Sequence, residues 1–172
     1  MLEIGSVVQA RVTDKKPYGV YLQFEDQSIL VLAPEIAWHD NREAMDQIRP
    51  GDVLEVQILL CNYPNKEFSG SLRRARQQDN PYRVLSRLEP GNVLRGVVRR
   101  SDRDDIAVDL PYGARGKIPK HYLRRTPTSG EEMDVVILSL LVDEGQLWLE
   151  PAREADRGPA CRVQVQIPQL VS

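Results

Sequence analysis

The feature that most constrains the fold of this 172-residue chain is that it repeats itself. Gly5-Ser6-Val7-Val8-Gln9-Ala10-Arg11-Val12 returns as Gly91-Asn92-Val93-Leu94-Arg95-Gly96-Val97-Val98, 86 residues on. Leu32-Ala33-Pro34 returns as Lys117-Ile118-Pro119 at an offset of 85, and Gly51, Val56, Ile58 and Phe68 return as Gly130, Val135, Ile137 and Leu147 at an offset of 79. A fixed offset marks one structural unit used twice. Two small domains are therefore expected, the second shorter through its middle connection.

Inside the first unit the apolar runs are short and alternating, at residues 7–12, 18–24, 28–32, 53–60 and 68–72. Alternation with a period of two is the signature of strands with one face buried. Lys15-Lys16-Pro17, Glu25-Asp26-Gln27 and Tyr63-Pro64-Asn65-Lys66 supply turns between runs. Residues 34–48 are polar with spaced apolar positions, which predicts a loop with one or two helical turns. Five strands with a helical connection after the third make a small closed barrel, so the fold class is all-β. The expected organisation is a barrel over residues 1–76, a helical linker over 77–90, a second barrel over 91–152 and a tail over 153–172. In the linker, Asn80 is placed to cap a helix with Pro81 at its first position, and Val84, Leu85 and Leu88 then share an apolar face that packs between the barrels. In the tail, Val163, Val165 and Ile167 alternate with polar residues and predict one more strand, left for a barrel edge or a protein partner.

Apolar residues at 41% and charged residues at 28% are ordinary for a folded protein. The N-terminus has no basic start leading into an apolar stretch, and no apolar run nears the ~18 residues that span a bilayer, so a cytoplasmic location with no membrane contact is expected. Cys61 and Cys161 form neither a disulfide framework nor a CxxC pair, and His39 and His121 stand without neighbouring cysteines. No metal and no cofactor are expected. Nucleophile elbows, GxxxxGK loops and HExxH pairs are absent, and adjacent acids such as Asp104-Asp105 point to opposite faces of a strand. The chain reads as a non-enzyme.

The formal net charge of -2 conceals a local asymmetry. Arg95, Arg99, Arg100, Arg103, Arg115, Lys117, Lys120, Arg124 and Arg125 face only Asp102, Asp104, Asp105 and Asp109 within the same stretch, nine cations against four acids, or +5. Such a block attracts phosphate, or is a solvated face.

With these blocks in place the first unit resembles a known family, the S-one RNA-binding repeat, a five-stranded OB-fold barrel. The resemblance rests on Gly5-Ser6-Val7-Val8, on Tyr18-Gly19-Val20-Tyr21-Leu22, on Gly51-Asp52-Val53-Leu54-Glu55-Val56 and on Phe68-Ser69-Gly70-Ser71-Leu72-Arg73, over about residues 3 to 75. It implies a binding face with two aromatic rings, a histidine, an aspartate and an arginine. Tyr18 and Tyr21 fall on the aromatic positions, while Leu32, Asn62 and Glu67 stand at the other three. The second unit looks like a degenerate copy, with Asp104 and Ala107 at its aromatic positions. What remains there is cationic, plus Trp148, which points outward if Leu147 and Leu149 point inward.

Bases present flat faces whatever their identity, so surface rings bind single strands with little sequence preference. Tyr18 and Tyr21 fit that role if Gly19 allows a bend that brings them together; otherwise one ring packs inside the barrel. Arg11, Lys15, Lys16 and Lys66 are placed to flank the rings, and Arg73 extends the track toward the cations of the second unit. Trp38, in the helical connection, reads as a plug for the barrel end. Two functions stay open. The first is a protein that binds single-stranded RNA, ribosomal or messenger, by stacking in the first barrel and phosphate contacts in the second, in translation or transcription. The second is a protein-interaction adaptor that keeps the fold and has lost most binding positions.

Overall fold

The structure is a computed structural model and describes residues 2–159. The expected tail strand, the partner site there and Cys161 lie outside the described residues. The chain falls into two compact units, Met1–Asn80 and Pro81–Ser172.

The first unit is a closed barrel of β1 (Val7–Lys16), β2 (Gly19–Phe24), β3 (Gln27–Leu32), β4 (Val53–Asn62) and β5 (Glu67–Ser71), in the order β1-β2-β3-β5-β4. β1 runs on through Lys15 and Lys16, past the turn expected there, and pairs with both β2 and β4, which closes the sheet. Its register with β2 shifts between Val12 and Asp14. A bulge of this kind bends and twists a strand, which a barrel of five strands requires. Val12, Val20, Leu22, Ile29, Val31, Val56 and Ile58 fill the interior almost without exposure. Burial of each such side chain contributes about 1.5–3 kcal/mol. The helical turns expected between β3 and β4 are a 3₁₀ turn at Ala33–Glu35 and α1 (Asn41–Gln47), whose Met45 reaches the core.

The second unit repeats the plan with β6 (Leu94–Ser101), β7 (Asp105–Asp109), β8 (Arg115–Pro119), β9 (Glu132–Leu141) and β10 (Gln146–Pro151), closed in the equivalent order β6-β7-β8-β10-β9. The copies agree down to single hydrogen bonds. Gly51 N–H donates to the Val12 carbonyl at 2.8 Å, and Gly130 N–H donates to the Val98 carbonyl at 2.7 Å. Both glycines have φ near +90° (+96° and +88°), a conformation that side chains with a Cβ avoid. The bulge recurs between Val98 and Arg100. The shorter middle connection holds only a 3₁₀ turn, Lys120–Tyr122, where the first unit has α1.

The linker differs from expectation. A short α2 (Leu72–Ala75) follows β5 directly, and the helical segment is a single turn, α3 (Tyr82–Leu85), with Pro81 rather than Asn80 at its N-cap. The buried side chains are Tyr82 and Leu85, while Val84 is 39% exposed. The sequence pattern had paired Val84 with Leu85 and Leu88 and passed over Tyr82. Tyr82 decides the orientation of the turn because its hydroxyl has a partner to reach: it donates to the Arg115 carbonyl at 2.8 Å, while its ring is buried.

Candidate nucleic-acid interface

In β2 the inward residues Val20 and Leu22 leave Tyr21 facing out. Register then places Tyr21 in a row across all five strands of the outer surface: Asp14 (β1), Tyr21 (β2), Leu30 (β3), Ser69 (β5) and Leu60 (β4). Tyr18 lies in the turn just before β2 and is 50% exposed. The two rings meet edge to face, 6.2 Å between centroids and 86° between planes, and their hydroxyls share a hydrogen bond of 2.8 Å. Neither ring packs inside the barrel. The enabling residue is Gly19, where a Cβ would stand 2.3 Å from the Val31 carbonyl oxygen of β3. Only a residue without a Cβ lets the start of β2 approach β3 this closely.

Beside Tyr21 a groove of about 400 Å³ runs over β3, β5 and β4, lined by Leu30, Leu60, Cys61, Asn62, Glu67 and Ser69 among others. Leu32, opposite Gly19 in register, is exposed on the same face. The five positions singled out by the family resemblance, Tyr18, Tyr21, Leu32, Asn62 and Glu67, therefore gather on one surface. Leu30, Leu60 and Ser69 belong there too and were missed. The run Ile29-Leu30-Val31-Leu32 is apolar throughout, so the sequence hides which half faces out, and Leu60 reaches 66% exposure because the β4–β5 register shifts between Ile58 and Leu60. The Tyr21 phenol titrates above its ordinary range, first because of the hydrogen bond with Tyr18, then through burial and the nearby charges of Glu67 and Asp14.

The cations around the rings are less available than their sequence positions suggest. Lys15 donates its ammonium to the Met45 and Ile48 carbonyls at 3.2 and 3.1 Å, at the C-terminal end of α1. That is a helix-capping role. Lys16 pairs with Asp14 at 3.1 Å and Lys66 with Asp26 at 3.5 Å. Arg11 is exposed and reaches the Gly51 carbonyl at 3.3 Å. Arg73 departs furthest from the sequence reading. It is not part of a surface track but mostly buried, holding Glu35 at 3.1 Å and lying 4.7 Å over the Trp38 ring. Burial pushes the Glu35 carboxyl up, yet the hydrogen bonds and charges of Arg73, Ser71 and Arg74 outweigh it and hold the group below its ordinary range.

The same holds in the second barrel. Arg95 faces Glu132 and Asp134, Arg99 and Arg115 share Asp109, Arg100 meets Asp102, and Arg125 meets Glu131. Three of these acids, Glu131, Glu132 and Asp134, come from outside the stretch counted as +5: β9 pairs with β6 and brings Glu132 and Asp134 alongside Arg95, while Glu131 lies only six residues beyond Arg125. The cations of that stretch that enter no ion pair among the described residues reduce to exposed Arg103 and Lys117 and half-buried Lys120, with Arg124 donating to the Arg157 carbonyl at 2.7 Å. Trp148 faces outward, 37% exposed, as the alternation with Leu147 and Leu149 required.

Comparison with known proteins agrees with this geometry. Residues 1–73 match the S1 RNA binding domain. The chain is 27% identical over 157 residues to 4-hydroxy-3-methylbut-2-enyl diphosphate reductase of Clostridium acetobutylicum, covering 86% of this chain and 24% of that protein. It is 26% identical over 164 residues to the Protein RRP5 homolog of Mus musculus, covering 89% and 8% respectively. It is also 22% identical over 158 residues to small ribosomal subunit protein bS1 of Chlamydia trachomatis, covering 86% and 27%. The chain thus spans between 8% and 27% of these relatives' lengths. Residues 1–73, the stretch that matches the S1 RNA binding domain, are those that form the first barrel with its paired tyrosines.

Proposed function

We propose that this chain binds single-stranded RNA without catalysing a reaction, stacking bases on Tyr18 and Tyr21 of the first barrel and holding phosphates with the unpaired lysines of the second. The observation that carries the reading is the tyrosine pair: two rings, joined at their hydroxyls, on the outer surface of a barrel that matches the S1 RNA binding domain, beside an open groove. Stacking on such rings contributes about 1–3 kcal/mol per base and tolerates any sequence. Lys117 and Lys120 supply charge without reading sequence. A cytoplasmic setting and ribosomal or messenger RNA as ligand are part of the proposal, supported by the likeness to a protein named as a ribosomal subunit component. Among the described residues no helix is long and apolar enough to cross a membrane.

A protein-adaptor role has its own support. Exposed Leu60 and the acidic Glu67 line the groove, and exposed Leu32 and Glu67 stand where the family resemblance implies a histidine and an arginine, which makes the face more apolar and acidic. Fluorescence-anisotropy titration of short RNA and DNA oligomers at several salt concentrations separates the readings. Binding that weakens with salt and with Tyr18→Ala supports the RNA role; no binding at low salt leaves the adaptor.

A further inference from the structure

The second barrel has lost the aromatic residue of its second strand, yet its outer surface is not bare. Register defines the same five-strand row there as in the first barrel: Arg100 (β6), Ala107 (β7), Lys117 (β8), Trp148 (β10) and Ser139 (β9). The bulges that set the row fall at matching places in the two copies, between Val12 and Asp14 and between Val98 and Arg100. Position by position, Ala107 stands where the first barrel has Tyr21, and Trp148 stands where it has Ser69. The aromatic platform has moved from the second strand to the fifth, two strands or about 10 Å across the same face.

Three observations fit a nucleic-acid site. Trp148 is held outward by the burial of Leu147 and Leu149 on either side, and more than a third of its surface is open. Its direct neighbour in the row, Lys117, is exposed and enters no ion pair among the described residues. Next to Lys117, Ala107 carries only a methyl and is 2% exposed, so it offers a base no stacking surface and the contact falls to Trp148 and Lys117. An indole beside an ammonium offers a base something to stack on and its phosphate a cation. Charge complementarity favours an anionic partner over a basic or neutral one, and the exposed indole favours an anion that carries stackable bases, a single-stranded nucleic acid.

We propose that Trp148, with Lys117 beside it, is a second base-stacking site, so that both barrels stack bases on the same outer row through different strands. This rests on the single-strand-binding reading and deepens it, since that reading gives the second barrel phosphate contacts only.

The test uses the full chain and a labelled uridine 12-mer, with binding followed by anisotropy and tryptophan emission recorded in parallel. Trp38 and Trp148 are the two tryptophans, so the difference between wild type and Trp148→Phe isolates emission from Trp148. Quenching of that emission at saturation, with no quenching by polyphosphate and with a loss of affinity of about 5- to 100-fold in Trp148→Ala, supports the site. Equal quenching by polyphosphate overturns it, because the site then senses charge and not bases. RNA binding with Trp148 emission and the affinity of Trp148→Ala unchanged overturns this inference and leaves the first-barrel reading standing. Quenching that persists while the double variant Tyr18→Ala/Tyr21→Ala binds as wild type supports this site and sinks the first-barrel one. Absence of any binding at low salt overturns both.

Discussion

Reversing the two unpaired lysines of the second barrel, Lys117→Glu with Lys120→Glu, tests how the ion-pair pattern sets RNA affinity. Each phosphate neutralised on a single strand contributes roughly -0.7 to the slope of log affinity against log salt. Lys117 and Lys120 enter no ion pair among the described residues, so two contacts are lost and the slope flattens by about 1.4. Between about 50 and 200 mM salt, a fourfold change, wild type then loses about sevenfold more affinity than the variant. The comparison variant is Arg95→Gln. Its guanidinium already faces Glu132 and Asp134 at 3.7 and 3.3 Å, so that locality is not net positive and displaces few counterions from the RNA phosphates. Its slope should change by well under one unit, on the order of a fraction of one contact. Anisotropy titrations across the salt series, with circular dichroism to verify folding, give both numbers. Two outcomes refute the reasoning. If Arg95→Gln flattens the slope as much as the lysine pair does, the ion pairs open on binding and the structural count of free cations is the wrong guide. If the lysine reversal leaves the slope unchanged in a folded protein, the block is solvated surface or a protein interface.

Three further outcomes are expected. Tyr18→Ala weakens RNA binding by about 1–3 kcal/mol across sequences with little change in melting temperature, since the ring is half exposed; a collapse of stability with affinity intact would make Tyr18 a packing residue. Gly19→Ala destabilises the first barrel by about 1–3 kcal/mol or more, because the new methyl meets the Val31 carbonyl oxygen, and a melt as high as wild type would disprove that contact. Glu35→Gln lowers stability at pH 7 by about 1–3 kcal/mol by leaving Arg73 and Arg74 without their counter-charge. The folded state holds the Glu35 carboxyl below its ordinary range, so its contribution is complete above the unfolded value near 4.5 and fades as pH falls below it. Melts from pH 7 to pH 3 should show the gap between wild type and variant closing with acid, and a constant gap would argue against the ion pair as its source.

The strand-level plan was legible because a closed barrel writes itself into the chain locally. Its interior admits only apolar side chains and its strands alternate with a period of two, so Val20 and Leu22 announced their own burial, while the sequence left open whether Tyr18 or Tyr21 packed inside. The repeat was equally legible, since the same glycines are needed twice at positive φ, and Trp148 could be placed outward from its leucine neighbours alone. Charge availability was not legible. The count of +5 was correct as a sum over residues 95–125, but Glu132 and Asp134 lie further along the chain and come beside Arg95 only when β9 pairs with β6. Arg73 likewise reads as one more surface cation until the fold sets it between Glu35 and Trp38, 38 and 35 positions away. The helical turn at Tyr82 turned on a hydroxyl finding the Arg115 carbonyl, a contact that helical periodicity does not encode. The dividing line is physical. Alternation and backbone conformation are properties of neighbouring residues and survive in the one-dimensional record, whereas ion pairs and the adjacency of Trp148 to Lys117 depend on strand register, which exists only once distant segments have paired.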